Sequence, residues 1–386
     1  MPTMYDYLKD KSDLRQYSIA IQHQTKEKRY LKTVFLQLTP LCNFSCNMCY
    51  ARMSADELQR SGKHVLRFSE WKWYIDQIAD MGVLDLVLTG GECTVHPDFK
   101  RIYAYAYDKG LEMNIMTNCS HIDDELFRLW KEKPPSCISA TVYGGSADTY
   151  KRLCGNDRAY EKVYRNIEKL HENKFFLKLK YTVVRENIDD VFSVYEYFYK
   201  HKLKLNVDQT LMKFNKCTDA VLNTEQVSEA ELESRRKMWN SRKEQQSEKH
   251  ENDATVYEGL VKTILNQGNI EKGLRCTAGR SSCSITWEGQ MTPCVAFDTF
   301  SIDPRKLGLK KSWEKLVSWS DEVPRLAECE RCIFQWKCKL CVAVHYNDLE
   351  EFGKPSPRLC WKRNHPEEAE RIQKELIKKG ILKSET

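Results

Sequence analysis

The chain has 386 residues, 41% of them hydrophobic and 30% charged, a globular composition with room for one large domain and a smaller one. Its 61 basic and 55 acidic residues leave a formal charge of +6, too small an excess at this length to point to nucleic acid. No run of about 18 apolar residues would span a membrane, and the start Met1-Pro2-Thr3-Met4 lacks an export signal's basic-then-apolar pattern, so the expected location is cytoplasmic.

After an N-terminal segment, residues 1–32, β-rich runs alternate with amphipathic stretches over residues 33–223, the sequence form of repeated βα units and a parallel sheet. The predicted strands are Thr33–Thr39, Leu84–Thr89, Leu111–Thr117, Cys137–Tyr143, Leu177–Val184 and Leu203–Leu211. Ser69–Met81, Asp123–Lys131, Ala159–Glu172 and Val191–His201 carry apolar residues at helical spacing between them. Six such units make an α/β fold, a partial (β/α)6 barrel, in which chemistry gathers at the C-terminal ends of the strands.

The loop after the first strand reads Leu41-Cys42-Asn43-Phe44-Ser45-Cys46-Asn47-Met48-Cys49-Tyr50. Its CxxxCxxC spacing supplies three thiolates, and a cubane cluster has four irons, so one iron keeps an open position. A structural zinc site is the competing reading, but such sites are closed by four ligands, and no His or Cys follows Cys49 soon enough to complete one locally. The second strand runs into Thr89-Gly90-Gly91-Glu92-Cys93, where two glycines let the backbone approach a ligand and a carboxylate can accept from an ammonium group. The third runs into Thr117-Asn118-Cys119, which places all three loops on one rim.

Residues 224–269 mix charges with few apolar positions and are read as a solvated helical linker. Half of the sixteen cysteines then fall within residues 270–365, at Cys276, Cys283, Cys294, Cys329, Cys332, Cys338, Cys341 and Cys360. Without an export signal, this usage points to metal or redox chemistry rather than disulfides. Ser284 to Cys294 has the alternation and Glu288-Gly289 turn of a β-hairpin. Eight thiolates can hold two four-iron clusters, and two zinc-ribbon-like sites are the rival reading. Within residues 366–386, Pro366–Lys379 has the pattern of a charged amphipathic helix.

The CxxxCxxC segment, with Gly90-Gly91-Glu92 one βα unit later, resembles the signature of the radical S-adenosylmethionine (SAM) enzymes. In that family the open iron chelates SAM, and an electron from the cluster breaks a carbon–sulfur bond to give a 5′-deoxyadenosyl radical that abstracts hydrogen from a substrate carbon. The resemblance implies that Cys42, Cys46 and Cys49 ligate this cluster and that Gly90, Gly91 and Glu92 hold the SAM amino group. It also implies SAM contacts at Asn118, at Thr141 toward the ribose and at Arg152 toward the carboxylate. Met48 stands where the family usually has an aromatic residue against adenine, and Met is polarizable enough to cover a purine face.

The later cysteines resemble the SPASM extension of peptide-modifying members, whose order is a cysteine, GxxxxC, CxxCxxxxxCxxxC and a last cysteine. This chain has two residues rather than three before Cys341. The resemblance implies a first auxiliary cluster on Cys276, Cys283, Cys294 and Cys341 and a second on Cys329, Cys332, Cys338 and Cys360, three 4Fe-4S clusters in all. With every one of these cysteines engaged, neither auxiliary cluster keeps an open iron for a substrate thiolate.

The implied function is a peptide maturase that abstracts hydrogen from a ribosomally made peptide, forming a thioether or carbon–carbon crosslink or oxidising a side chain. An epimerase is an alternative, with Cys154 or Cys217 returning a hydrogen atom, although each is more simply a buried thiol. A formylglycine-forming sulfatase maturase would carry Asp where this chain has Val295. A small-molecule oxidoreductase of the same superfamily and a cysteine-rich zinc protein complete the alternatives. Expected partners are the precursor peptide and an electron donor such as flavodoxin or ferredoxin; the 32 residues before the first strand are too few for the leader-recognition module of many members, so any leader binding is expected to use the barrel and SPASM surfaces or a separate leader-recognition protein.

Overall fold

The computed structural model describes residues 21, 24–208, 273–297, 299–338 and 340–382. β1 (Thr33–Gln37) alternates half-buried and buried positions, as a strand with one packed face must. β2 (Asp85–Thr89), β3 (Glu112–Thr117), β4 (Cys137–Thr141), β5 (Leu177–Thr182) and β6 (Leu205–Asp208) follow as parallel neighbours in chain order. Between them run α1 (Ala55–Arg60), α2 (Phe68–Asp80), α3 (Phe99–Asp108), α4 (Asp124–Glu132), α5 (Ala147–Cys154), α6 (Ala159–Glu172) and α7 (Val191–Lys200). The six-unit α/β partial barrel read from the sequence is present. β1, β4 and β5 stop two residues short of their predicted ends, β2 and β3 end where predicted, and the predicted end of the sixth strand, Leu211, lies outside the described residues; α1, α3 and α5 go beyond the helices predicted.

One face of the sheet carries the core. α2 presents Trp71, Tyr74, Ile75 and Ile78 on one side, all fully buried, and α6 presents Val163, Ile167 and Leu170. They close over Val34, Leu36, Leu86, Leu88, Ile115 and Ile138 in a single cluster, each such side chain contributing roughly 1.5–3 kcal/mol. The opposite face, including Phe35, Gln37, Asn114, Met116 and Thr141, is only half-buried. α4 begins on Asp123, whose carboxylate accepts from Leu126 N–H at 2.7 Å, and α5 ends on Gly155 in the left-handed region. These caps fix where the helices meet the rim.

The sheet continues past β1 with strands from the C-terminal third of the chain. β7 (Ser282–Ile285) pairs in parallel with β1, and β8 (Met291–Thr292) returns antiparallel to it, giving the order β6-β5-β4-β3-β2-β1-β7-β8. The predicted hairpin is therefore present, but it extends the barrel sheet. α8 (Leu309–Glu322) lies against α2, and its Trp313 Nε1 donates to Arg29 O at 2.9 Å. Ser282–Ile285 and Met291–Thr292, within the predicted 270–365 unit, thus belong to the barrel sheet. α9 (Val342–Leu349) and α10 (Pro366–Lys378) complete the fold. The predicted linker over residues 224–269 and Cys217 lie outside the described residues. No described helix is long and apolar enough to cross a membrane.

Candidate functional site: a cysteine loop on the barrel rim

The chain leaves β1 through buried Leu38, Thr39 and Pro40 and turns into the cysteine loop, which neighbours hold from two sides by backbone bonds. Gly91 N–H donates to Thr39 O at 2.7 Å and Glu92 N–H to Leu41 O at 2.9 Å; opposite, Ser45 N–H donates to Cys154 O at 2.9 Å and Asn47 N–H to Leu153 O at 3.1 Å. A Cβ at Gly90, where φ is +137°, would sit 2.4 Å from Thr39 O, and one at Gly91 would sit 2.4 Å from Leu41 O. The two glycines thus admit the backbone of the cysteine loop itself.

Glu92 is almost fully buried. Its Oε1 accepts from Thr94 N–H (3.1 Å), Thr94 Oγ1 (2.6 Å) and Thr117 Oγ1 (2.8 Å), and its Oε2 from Asn118 N–H (2.6 Å). A carboxylate offers about four lone-pair sites, and the uneven distribution leaves Oε2 able to take a further donor. Asn118 continues the chain of bonds, its Nδ2 donating to Asn43 Oδ1 at 2.9 Å and lying 3.8 Å from Cys42 Sγ.

Cys42, Cys46 and Cys49 are partly buried free thiols. Burial pushes Cys42 up to about 12 and raises Cys49. Cys46 is raised first by a hydrogen bond with the Cys154 thiol and then by burial, while the Tyr143 hydroxyl opposes that rise. Such thiols keep their protons near neutral pH until a metal displaces them. Among the described residues no three His, Cys, Asp or Glu side chains could share one metal ion; the thiolates of a cubane bind separate irons and stand further apart. Three thiols on one loop, with a buried carboxylate and close backbone beside them, fit a cluster with one open iron.

The remaining predicted contacts are distributed around this rim. Met48 is half-buried against the core, and Thr141 ends β4 on the half-buried face. Arg152 is tied down by Thr149 Oγ1 at 3.1 Å and Glu186 O at 3.2 Å, and its own carbonyl accepts from Asn47 Nδ2 at 3.3 Å. Cys154 is fully buried in the barrel core behind the loop. Sequence reasoning does not single out Arg52, three residues past Cys49, whose buried Nε has no hydrogen-bond partner among the described residues. A lone arginine after the motif is the only sequence signal for it. A cavity of about 260 Å³ is lined by Gln37, Tyr50, Arg52, Trp287, Cys294 and Phe297.

The later cysteines fall into two groups and one outlier. Cys294 and Cys341 pack on a small core that includes Leu274, Ala278 and Ala296. Burial first, then the neighbouring Cys276 and Cys341 thiols, push Cys294 up to about 12. Cys329, Cys332, Cys338 and Cys360 line a separate small cavity with His345; burial first, then the other three thiols, push Cys329 up to about 12. Ala369 of α10 joins Phe334 and Trp361 beside Cys332 and Cys338, and Trp361 N–H points at Cys338 Sγ, 3.4 Å away.

Cys283, expected in the first auxiliary set, packs with neither group in this structure. It lies opposite Val34 in the β1–β7 register and is fully buried in the barrel core. Its neighbour Ser284 faces the other way, its Oγ accepting from Gln37 Nε2 at 2.9 Å. Successive side chains of a strand point to opposite faces, so turning Cys283 around would require a register slip of the whole strand. Burial alone raises its thiol.

Residues 36–198 match the Radical SAM superfamily. They form a radical SAM domain. Members of this superfamily are enzymes that bind a 4Fe-4S cluster and SAM. The chain is similar to the AdoMet-dependent heme synthase of Methanosarcina barkeri, with 23% identity over 83% of this chain and 94% of that protein. It is also similar to the antilisterial bacteriocin subtilosin biosynthesis protein AlbA of Bacillus subtilis, with 22% identity over 85% of this chain and 70% of that protein. In fold, the radical SAM domain and the cysteine-rich region after it are similar to Streptococcus suis SuiB, solved bound to the precursor peptide SuiA. The TM-score is 0.60 and the identity 13%, over 89% of this chain and 79% of that one.

Proposed function

We propose that the chain is a radical SAM peptide maturase that abstracts hydrogen from a ribosomally made peptide, forming a crosslink or oxidising a side chain. One observation supports this reading: one cavity is lined both by Tyr50, Ala51 and Arg52 of the loop that follows Cys49 and by Cys294 of the later cysteines. A substrate there lies within reach of both. Cys42, Cys46 and Cys49 would hold the first cluster, and Cys329, Cys332, Cys338 and Cys360 one auxiliary cluster, with a further one on the group around Cys294. The bound cluster and SAM supply the carbon-centred radical.

The chain's own residues hold SAM and keep water from the radical. Gly90 and Gly91 bring backbone to the rim, Glu92 Oε2 offers its remaining lone pair to an ammonium group, and Asn118 steadies the loop. Thr141 would face the ribose, Met48 would cover adenine, and Arg152 would close the side toward the carboxylate. A precursor peptide and a flavodoxin- or ferredoxin-type donor are the partners this reading requires, in the cytoplasm, with the leader bound by the barrel and SPASM surfaces or by a separate leader-recognition protein.

Anaerobic reconstitution tests it. Iron and sulfide bound per chain, with SAM-dependent release of 5′-deoxyadenosine, support the reading; stoichiometric zinc without iron sinks it. A second reading, a tetrapyrrole substrate, draws on the likeness to the heme synthase, which covers nearly that protein's whole length. Release of 5′-deoxyadenosine stimulated by an iron porphyrin and not by cysteine-containing peptides would favour it.

A further inference from the structure

We propose that Arg52 selects the substrate of the cavity beside the cysteine loop: its guanidinium takes the carboxylate of an Asp or Glu side chain of the peptide. The proposal deepens the peptide-maturase reading given above and rests on it. Three observations lead to it.

The first is a cation without a counterpart. Arg52 is half-buried, its Nε is enclosed without a hydrogen bond, and its two terminal nitrogens make neither a hydrogen bond nor an ion pair among the described residues. Buried polar groups are normally satisfied, and here the enclosed Nε fixes the neck of the fork while its two prongs stay within reach. The other charged groups lining the cavity are already engaged. Lys63 pairs with Glu288 Oε2 at 2.7 Å, and the Glu57 carboxylate accepts from Ser54 N–H at 2.6 Å in the cap of α1.

The second is the wall. Tyr50, Trp287 and Phe297 line the same cavity, and such apolar rings lower the local dielectric, which strengthens a charge pair formed beside them. A guanidinium grips a carboxylate by two parallel bonds, a fit that a side-chain amide does not give. The third is place. None of Gly90, Glu92, Asn118, Thr141 and Arg152 lines this cavity; its walls come from β1, the loop after Cys49 and the β7–β8 hairpin. The acid that meets Arg52 therefore belongs to the other reactant and not to SAM. A chain terminus or a propionate carries the same two oxygens, but about 260 Å³ lies below the roughly 300–1,000 Å³ of pockets that enclose a drug-sized molecule and suits a side chain better than a macrocycle.

The test reads binding without catalysis. The full chain, reconstituted anaerobically with iron and sulfide and holding SAM unreduced, is immobilised and used to select from a displayed pool of random decapeptides whose C-termini are blocked by the tether. The retained peptides should favour Asp and Glu over Asn and Gln at least roughly tenfold. Arg52→Gln should abolish that preference, Arg52→Lys should keep it in weaker form, and Arg52→Glu should favour Lys and Arg instead, a reversal that a merely structural role for Arg52 does not produce. No acidic preference in the unaltered chain, or the same preference in Arg52→Gln, overturns the proposal. Elution of the retained peptides by acetylglycine as readily as by acetylglutamate amide overturns the side chain as the source of the carboxylate, and elution by an iron porphyrin at a lower concentration than either overturns the peptide. Iron counted in each preparation keeps the two readings apart: iron bound without acidic preference sinks this proposal alone, and acidic preference without bound iron sinks the cluster reading alone.

Discussion

The side-chain amide of Asn118 donates to Asn43 Oδ1 at 2.9 Å, and through that bond the end of β3 holds the cysteine loop that follows β1. The ring is closed by Ser120, whose Oγ accepts from Asn43 Nδ2 at 2.7 Å and lies 2.7 Å from Asn118 Oδ1. Groups that orient metal ligands typically cost 10–100-fold in metal affinity when removed. Asn118→Ala should therefore lose the first cluster to a chelator roughly 10–100-fold more readily, followed as iron retained in a chain lacking the auxiliary cysteines. Retention equal to the parent's would mean that the loop holds itself.

Glu92 gathers four N–H and O–H donors, and the Cys93 thiol 3.8 Å away, in a buried position. Glu92→Gln replaces one acceptor oxygen by a donor that faces N–H or O–H groups, leaving buried donors unpaired at about 1–3 kcal/mol. The urea midpoint should fall accordingly even in the apo chain, where no SAM contributes. A drop seen only with SAM present would assign Glu92 to the ligand alone.

Gly91 and Gly82 separate close approach from backbone strain. A Cβ at Gly91 meets Leu41 O at 2.4 Å, whereas at Gly82, with φ of +71°, it meets nothing within 4 Å. Gly82→Ala should lower stability by roughly 1–3 kcal/mol and leave SAM cleavage unchanged. Gly91→Ala must displace the cysteine loop and should cut 5′-deoxyadenosine release at least about tenfold, a barrier change of ~1.4 kcal/mol. Equal activity in the two variants would count against the loop's dependence on this approach.

Cys154 lies in the core with its carbonyl holding Ser45. Cys154→Ala is expected to cost about 1 kcal/mol in stability and to leave product formation and its solvent deuterium content unchanged. Loss of product with continued 5′-deoxyadenosine release would instead identify it as a hydrogen donor.

His96 supplies a pH dependence. Asp98 N–H donates to its Nδ1 at 3.0 Å and its Nε2 lies 2.9 Å from Leu66 O, which fixes the neutral tautomer. Burial, the largest cause, lowers its pKa below 6.5. The unfolded chain therefore binds a proton that the folded one refuses, so stability falls as pH drops below about 6.5 and levels off beneath the folded value. The slope of the urea midpoint over that window should diminish in His96→Gln. An unchanged slope would move the effect to other groups.

The sequence was most legible where spacing alone carries chemistry. Cys42, Cys46 and Cys49 need no tertiary information to be read as an open cluster site, and Gly90-Gly91-Glu92 announced a close approach, though what approaches is Thr39 and Leu41 backbone. The parallel βα repeat was legible because β-rich runs alternate with amphipathic helical stretches. Cys283 was not, because a cysteine among other cysteines looks like a ligand while one at an inward strand position is simply a small apolar residue. Only pairing with β1 decides which face it takes. Arg52 was hidden for the opposite reason: nothing in a sequence marks a guanidinium as buried and unsatisfied.

The pairing of β7 with β1 has a consequence for synthesis. The first strand emerges early but stays without its second neighbour until Ser282–Ile285 have been made. An exposed parallel edge is a template for stray pairing, and here it adjoins the loop of Cys42, Cys46 and Cys49. The last third of the chain thus acts on the first third as a clasp. Loading of iron at Cys42, Cys46 and Cys49 is expected to await chain completion, with nascent chains shorter than that point prone to aggregation.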